Sequence, residues 1–222
     1  GLAQDIRFHL QPLGKEAEKI QFIIEPVGRN TAPAIGLAAI TLHKLSPDSV
    51  MIVMPSDHAI KDTKEFQEKL RCAIEVARQD YLVTFGIKPR RPETAYGYIQ
   101  SSQLLADFKE EVFHVKKFFE KPDFKTAESF IQQGVFYWNS GIFVWKTSRI
   151  LQEIESHLPR LYHGLKKIDS QKDSKGEAIA EVYASFDNIS IDYGVLEKSQ
   201  AVTVVPSDFG WSDLGSWTAL DD

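Results

Sequence analysis

Val50, Met51, Ile52, Val53 and Met54 form an unbroken apolar run that Pro55 ends. A short apolar run closed by a turn residue suits a strand buried on both faces, as in a parallel sheet covered by helices. Ser56, Asp57 and His58 follow at once, so an acid stands at the lip of that sheet. In open α/β sheets, ligands bind outside the carboxyl ends of the strands. Asp57 is therefore the first candidate for a functional carboxylate, and the rest of the chain can be asked what faces it.

The first half alternates strand and helix. Residues 21–25 (QFIIE) read as a strand, 26–30 as a turn, and Thr31 as the cap of a helix with Pro33 in its first turn. That helix is apolar on most sides and should be buried. Phe66, Leu70, Ile74 and Ala77 recur at helical spacing over 62–78. Residues 81–87 (YLVTFGI) read as another buried strand. This alternation is the signature of βαβ units. The second half predicts longer strands at 96–101 and 112–119 and a helix at 124–133. An aromatic strand at 136–145 is broken at Asn139-Ser140-Gly141. Helices follow at 147–158 and 176–184, with a polar connector at 166–176 between them. Ser190 should cap a short helix, 201–205 reads as a strand, and 210–217 as an aromatic turn.

Chain length of 222 residues suits one large α/β domain over 1–222. A formal charge of −5 argues against a general nucleic-acid binder. No apolar run approaches the length of a membrane span. Cys72 is the single cysteine, so no disulfide forms within the chain, which fits a reducing, cytoplasmic setting. There is no dinucleotide fingerprint, no P-loop and no Cys/His cluster for zinc. His58 reads as a packed or hydrogen-bonded residue rather than a ligand.

Four stretches stand out. The first, Glu25 to Ile35 (EPVGRNTAPAI), joins a strand to a helix N-terminus, whose free N–H groups suit an anion or a base. Alone it is no more than a capped βα loop. Second, Asp57 after Pro55 and Ser56 could be a simple turn residue. Third, RPETAYGYI at 91–99 leads to FEKP at 119–122. Gly97 would let a ligand approach backbone, and Glu120 and Lys121 could grip hydroxyls and a phosphate; a surface loop with an ion pair is the plainer reading. Fourth, 210–217 (GWSDLGSW) holds Asp213 between two Trp and two Gly, a costly composition for a plain turn. Two such Asp brought together can hold Mg²⁺, which usually takes one or two carboxylates plus substrate phosphates.

Together and in this order, EPVGRNTAPAI, PSDH, RPETAYGYI, FEKPD, WNSGIFVW, SIDYGVLEK and GWSDLGSW resemble the bacterial mannose-1-phosphate guanylyltransferases, in the long form often fused to a phosphomannose isomerase. The resemblance runs from about residue 20 to the end. It implies a Rossmann-like three-layer α/β/α nucleotide-diphospho-sugar transferase fold with a mixed, mostly parallel central sheet. It implies that mannose-1-phosphate and GTP give GDP-mannose and pyrophosphate, with Mg²⁺. Asp57 and Asp213 match the family's metal-binding aspartates, and Lys121 the lysine that holds the sugar phosphate; these three are the catalytic candidates. Glu25, Pro26, Arg29, Asn30 and Thr31, with Ser56, match the nucleotide-binding positions. Gly97, Glu120 and Asn139 match sugar contacts, and Asp192 lies in the SIDY signature as a ligand contact or a structural residue. Glu25 is chemically apt for guanine, since a carboxylate accepts from both N1–H and the exocyclic amine.

The family's Gly-rich N-terminal loop, which cradles the triphosphate, has no match here. The expectation is a chain cut from a longer protein, lacking the first strand and that loop. Such a chain should turn over poorly, and its unpaired sheet edge should invite self-association into homo-oligomers. Two alternatives stay open: a related sugar-1-phosphate nucleotidyltransferase with another base or sugar, and a noncatalytic regulatory module that binds GDP-mannose.

Overall fold

The computed structural model describes residues 2–170 and 176–213. Helix α1 spans Leu2–Leu10 and runs into a kinked 3₁₀ segment, Gln11–Lys19. Helix α2 spans Thr31–Leu45. Strand β1 (Val50–Val53), the short β2 (Ala59–Ile60), α3 (Thr63–Arg78) and β3 (Leu82–Ile87) follow. Then come β4 (Tyr98–Leu104), β5 (Phe113–Phe119), α4 (Phe124–Gln133) and the long β6 (Phe136–Lys146). Helices α5 (Thr147–His157), α6 (Pro159–Ser170) and α7 (Gly176–Ala184) precede a wide π-type turn at Asp192–Leu196, β7 (Val202–Ser207) and the short β8 (Trp211–Ser212).

The main sheet has the order β1-β6-β3-β7-β5-β4, and β4 also pairs with β6. It is mixed. β1, β3 and β4 each run antiparallel to β6, and β7 runs parallel to β3, so these four of the six strands share a direction. The only parallel neighbours among the described residues are β3 and β7. All six residues of β3 are buried, as a strand covered on both faces requires. One face packs under α2, α5 and α6 around Ile35, Ala39, Trp145, Ile150 and Leu165. The other packs under α3 and α4 around Ala73, Val76, Phe85, Tyr98 and Phe130. The expected three-layer α/β/α arrangement is present.

Local signals set most of these elements. Asp62 caps α3 by accepting from Glu65 N at 2.9 Å. Asp123 caps α4 by accepting from Thr126 N at 2.8 Å, and Gly134 closes that helix at φ 70°. The cap of α2 is Asn30 rather than Thr31: its side chain accepts from Thr31 N at 2.8 Å, and Thr31 is the first helical residue.

Three expectations need correction. Residues 21–25 form no regular element and pair with no strand among the described residues, and Ile24 is 65% exposed. An apolar pattern makes a strand only where a sheet edge offers hydrogen bonds. Helix α6 occupies 159–170, where the sequence suggests no helix and, from 166, a polar connector. Pro159 at its first position restarts the chain as a helix after the non-helical Leu158, and Leu161 and Leu165 bury one face. Finally, β6 is not interrupted at Asn139-Ser140-Gly141; it is bulged. Thr84 pairs with Phe143 and Gly86 with Asn139, so β6 carries extra residues between these pairs, and Gly141 absorbs the bend at φ 68°.

Candidate active site

The bulge in β6 lies on the wall of a cavity of about 700 Å³ at one end of the sheet. Seven stretches meet there. Asn30 and Thr31 come from the start of α2, Pro55 and His58 from the turn after β1, and Tyr96 and Gly97 from the approach to β4. Glu120 and Lys121 come from the end of β5, Asn139 and Gly141 from β6, and Asp192 and Tyr193 from the π-type turn. Trp211 and Asp213 close the rim.

Asn139 organises the deep side. Its Nδ2 donates to Asp192 Oδ1 at 2.9 Å. Its Oδ1 accepts from Thr84 Oγ1 at 3.3 Å and from Gly141 N at 3.2 Å. Its backbone N donates to Gly97 O at 2.8 Å. A Cβ at Gly97 would lie 2.9 Å from Glu120 Oε2, so a larger residue there would push that carboxylate aside. Burial pushes the Asp192 carboxyl above its ordinary value, with the Asn139 hydrogen bond opposing the shift. Burial also raises the Glu120 carboxyl; Lys121 opposes this and the charge of Asp192 adds to it. Lys121 Nζ lies 3.9 Å from Glu120 Oε1, and the Lys121 backbone sits at φ 43°. This wall therefore offers hydrogen-bond acceptors beside one ammonium group. That set suits a polyhydroxylated ligand carrying an anionic group.

The rim has its own framework. The short strands β2 and β8 pair antiparallel, Ala59 with Ser212 and Ile60 with Trp211. This pairing joins the stretch bearing Asp57 to the stretch bearing Asp213. Tyr96 Oη donates to Asp213 Oδ1 at 2.9 Å, and Trp211 Nε1 donates to His58 Nδ1 at 3.1 Å. The Tyr96 hydroxyl is raised well above the usual range, by burial first and then by the hydrogen bond to Asp213. Burial lowers the His58 imidazole, while the charges of Asp57 and Asp213 oppose that shift. Both carboxylates are thus within electrostatic reach of one imidazole ring.

The predicted residues divide into three groups. Asn30, Thr31, Gly97, Glu120, Lys121, Asn139, Asp192 and Asp213 line the cavity together. Ser56 and Asp57 are exposed at its mouth, next to His58. Glu25, Pro26 and Arg29 lie outside the lining. Glu25 instead accepts a short hydrogen bond from the Tyr183 hydroxyl, and Arg29 Nη2 donates to Ala184 O, so the 25–29 loop is tied to the end of α7. Leu214, Gly215, Ser216 and Trp217 of the aromatic motif lie outside the described residues. Sequence reasoning gave no role to Tyr96 or Tyr183. Tyr96 adjoins Gly97 in a motif already singled out; nothing local marks Tyr183.

The chain is similar to several known proteins. The mannose-1-phosphate guanylyltransferase of Escherichia coli is 41% identical over 217 residues, which are 95% of this chain and 45% of that protein. The chain thus spans about half the length of the curated relatives it matches. A crystal structure from Thermus thermophilus, described as a mannose-1-phosphate geranyltransferase, superimposes with a TM-score of 0.83 at 33% identity, covering 95% of this chain and 59% of that one. One from Helicobacter pylori, described as a mannose-6-phosphate isomerase, gives 0.76 at 30% identity, covering 91% of this chain and 78% of that one. Residues 3–222 match the nucleotidyl transferase family, and the chain belongs to it.

Proposed function

We propose that this chain is the nucleotidyltransferase domain of an enzyme that makes GDP-mannose and pyrophosphate from GTP and mannose-1-phosphate. The observation that carries the reading is the meeting, in one cavity, of Asn30, Gly97, Glu120, Lys121, Asn139, Asp192 and Asp213 from distant parts of the chain. The name of the Escherichia coli relative supplies the substrates.

In the proposed reaction a phosphate oxygen of the sugar phosphate attacks the α-phosphorus of GTP. The new P–O bond forms as the bond to the bridging oxygen breaks, and pyrophosphate leaves. A phosphate monoester is already largely dianionic near neutrality, so no protein nucleophile is needed. The work of the chain is positioning and charge neutralisation. Lys121 would offset the charge of the sugar phosphate. Asp192, Glu120 and Asn139 would hold the ring hydroxyls, and Asn30 and Thr31, at the start of α2, would meet the nucleotide.

Among the described residues no group of three or more metal-ligating side chains occurs. The pair Asp57 and Asp213 fits Mg²⁺, which keeps most of its waters and needs only one or two carboxylates beside phosphate oxygens. When bound there, Mg²⁺ would neutralise charge on the phosphates. The hydrogen bond from the Tyr96 hydroxyl to Asp213 Oδ1 would help to orient that carboxylate. No helix among the described residues is long and apolar enough to cross a membrane, and a cytoplasmic setting, where GTP is abundant, suits the reaction. Ile52 and Met54, exposed on and beside the edge strand β1, give a surface for self-association that sedimentation can test.

The test is thermal stability with GDP-mannose, GTP, UDP-glucose and mannose-6-phosphate, alongside an assay of GDP-mannose formation. A ligand at 100 times its dissociation constant stabilises the fold by about 2.7 kcal/mol. Stabilisation by GDP-mannose together with turnover supports the reading. Stabilisation without turnover by the protein that contains the chain favours a regulatory module. A preference for UDP-glucose would move the assignment to another base and sugar, and one for mannose-6-phosphate to the isomerase named for the Helicobacter pylori structure.

A further inference from the structure

His58 has no role in the reaction described so far, yet its ring is held more firmly than packing alone requires. It lies in the cavity wall, and Trp211 Nε1 donates to its Nδ1 at 3.1 Å. An indole N–H can only donate. Nδ1 must therefore be the unprotonated nitrogen while this bond persists, and the neutral ring carries its proton on Nε2. No hydrogen bond to Nε2 is formed among the described residues.

The surroundings fix this arrangement from several sides. The two rings meet edge to face, 5.3 Å apart at 86°. Trp211 packs in the same manner against Tyr96, which packs against Trp138, each at 5.3 Å. Ile60, two residues beyond His58, pairs with Trp211 across the small sheet, so the donor lies on β8 and the acceptor immediately before its partner strand β2. On the other side, a Cβ at Gly141 would lie 3.8 Å from His58 Cε1, so the bulge of β6 passes close to the ring. The product is a neutral hydrogen-bond donor on a wall that also presents the acceptors Asp213 and Asn139.

We infer that His58 is a substrate-binding residue: its Nε2–H donates a hydrogen bond to a phosphate oxygen of the ligand in this cavity, and Trp211 is the positioning residue that selects that tautomer. The inference rests on the phosphate-bearing substrates proposed above. A donor suits the oxygens of a phosphate. One whose tautomer is already set spends no binding energy on proton rearrangement.

The test uses His58→Leu, His58→Gln and Trp211→Phe, with mannose-1-phosphate, GDP-mannose and, as an uncharged control, mannose. A glutamine amide can place its N–H near the Nε2 position; leucine cannot donate. His58→Leu should weaken both phosphate ligands roughly tenfold or more, the worth of a hydrogen bond to a charged group, and leave mannose unaffected. His58→Gln should recover most of the loss. Nitrogen-15 NMR of histidine-labelled protein should show the Nε2–H tautomer for His58, and a mixture of tautomers in Trp211→Phe. A resting Nδ1–H tautomer would overturn the inference, as would equal weakening by the leucine and glutamine variants, or no weakening by leucine. The NMR measurement stands even where a variant fails to fold. If no phosphate ligand binds the unmodified protein, the proposed function fails first; if they bind and His58→Leu binds them equally well, only the role of His58 fails.

Discussion

Asn139 and Asp192 lie 53 positions apart and are joined by a hydrogen bond of 2.9 Å, amide to carboxylate. The bond ties the bulge of β6 to the π-type turn before β7 and keeps a half-buried acid on the cavity wall. An acid held with a raised pKa destabilises its own fold once it ionises.

The first prediction follows from that sign. Below the ordinary value of 3.8, Asp192 is protonated in both folded and unfolded chains and carries no penalty. As pH rises through the elevated folded value, the unfolded chain ionises more readily than the folded one, and stability is lost. Asp192→Asn should therefore melt higher than the unmodified protein at neutral pH. The advantage should shrink as pH falls and vanish below 3.8. Melting curves across pH check this; an advantage that grows in acid would contradict it. Sugar-phosphate binding should be weakened by the same substitution.

Gly97→Ala should separate binding from folding. The new methyl would press on Glu120 Oε2 from 2.9 Å, and that carboxylate is the movable end of a side chain. Stability should change by less than about 1 kcal/mol, while affinity for mannose-1-phosphate should fall roughly tenfold. Calorimetric titration beside a urea melt distinguishes the two effects.

Gly164→Ala should do the reverse. A Cβ on α6 would stand 2.2 Å from Phe186 Cε1, on the apolar face of the core. Overpacking of this kind costs about 1–3 kcal/mol, and the better helix propensity of Ala returns up to about 1 kcal/mol of it. Gly28→Ala, where nothing lies within 4 Å of the added Cβ, is the control and should stay within about 0.5 kcal/mol. Chemical denaturation of the pair gives the comparison.

Tyr183→Phe removes the donor that holds Glu25. Loss of this hydrogen bond should cost about 1 kcal/mol of stability. If the 25–31 loop reads guanine, the preference for GTP over ATP should fall in the same variant. Competition binding of the two nucleotides measures it, and an unchanged preference would leave the Tyr183–Glu25 bond a purely structural tie.

Cys72 is buried on α3, and burial pushes its thiol pKa up, with the charge of Glu110 adding to the shift. Reaction with a thiol reagent should be slow in the folded protein and fast once denaturant opens the helix. A fast reaction under native conditions would mean that α3 opens locally.

The sequence by itself determined what short-range physics can determine. Helix α4 falls at 124–133, as its pattern predicts, because Asp123 and Gly134 are capping signals read within a turn of the helix. The run Val50 to Val53 is a strand, as its pattern predicts, but not one buried on both faces: it pairs only with β6 among the described residues, antiparallel, and of its four residues only Met51 is buried while Ile52 is exposed. The candidate site was legible as motifs, since Gly97, Glu120, Asn139 and Asp213 stand in unusual local contexts. Only the tertiary structure decided the rest. Residues 21–25 have a strand's pattern, yet hydrogen-bonded partners are a property of neighbours, and none is present among the described residues. The chemistry of Glu25 suits guanine, but its geometry is set by Tyr183, 158 positions away. His58 reads in the sequence as a packed or hydrogen-bonded residue, but its donor, Trp211, comes beside it only when β2 and β8 pair. Caps and periodicity act over a few residues and are written in order along the chain. Strand pairing, burial and the partner of a polar group depend on which distant segments meet, which folding alone decides.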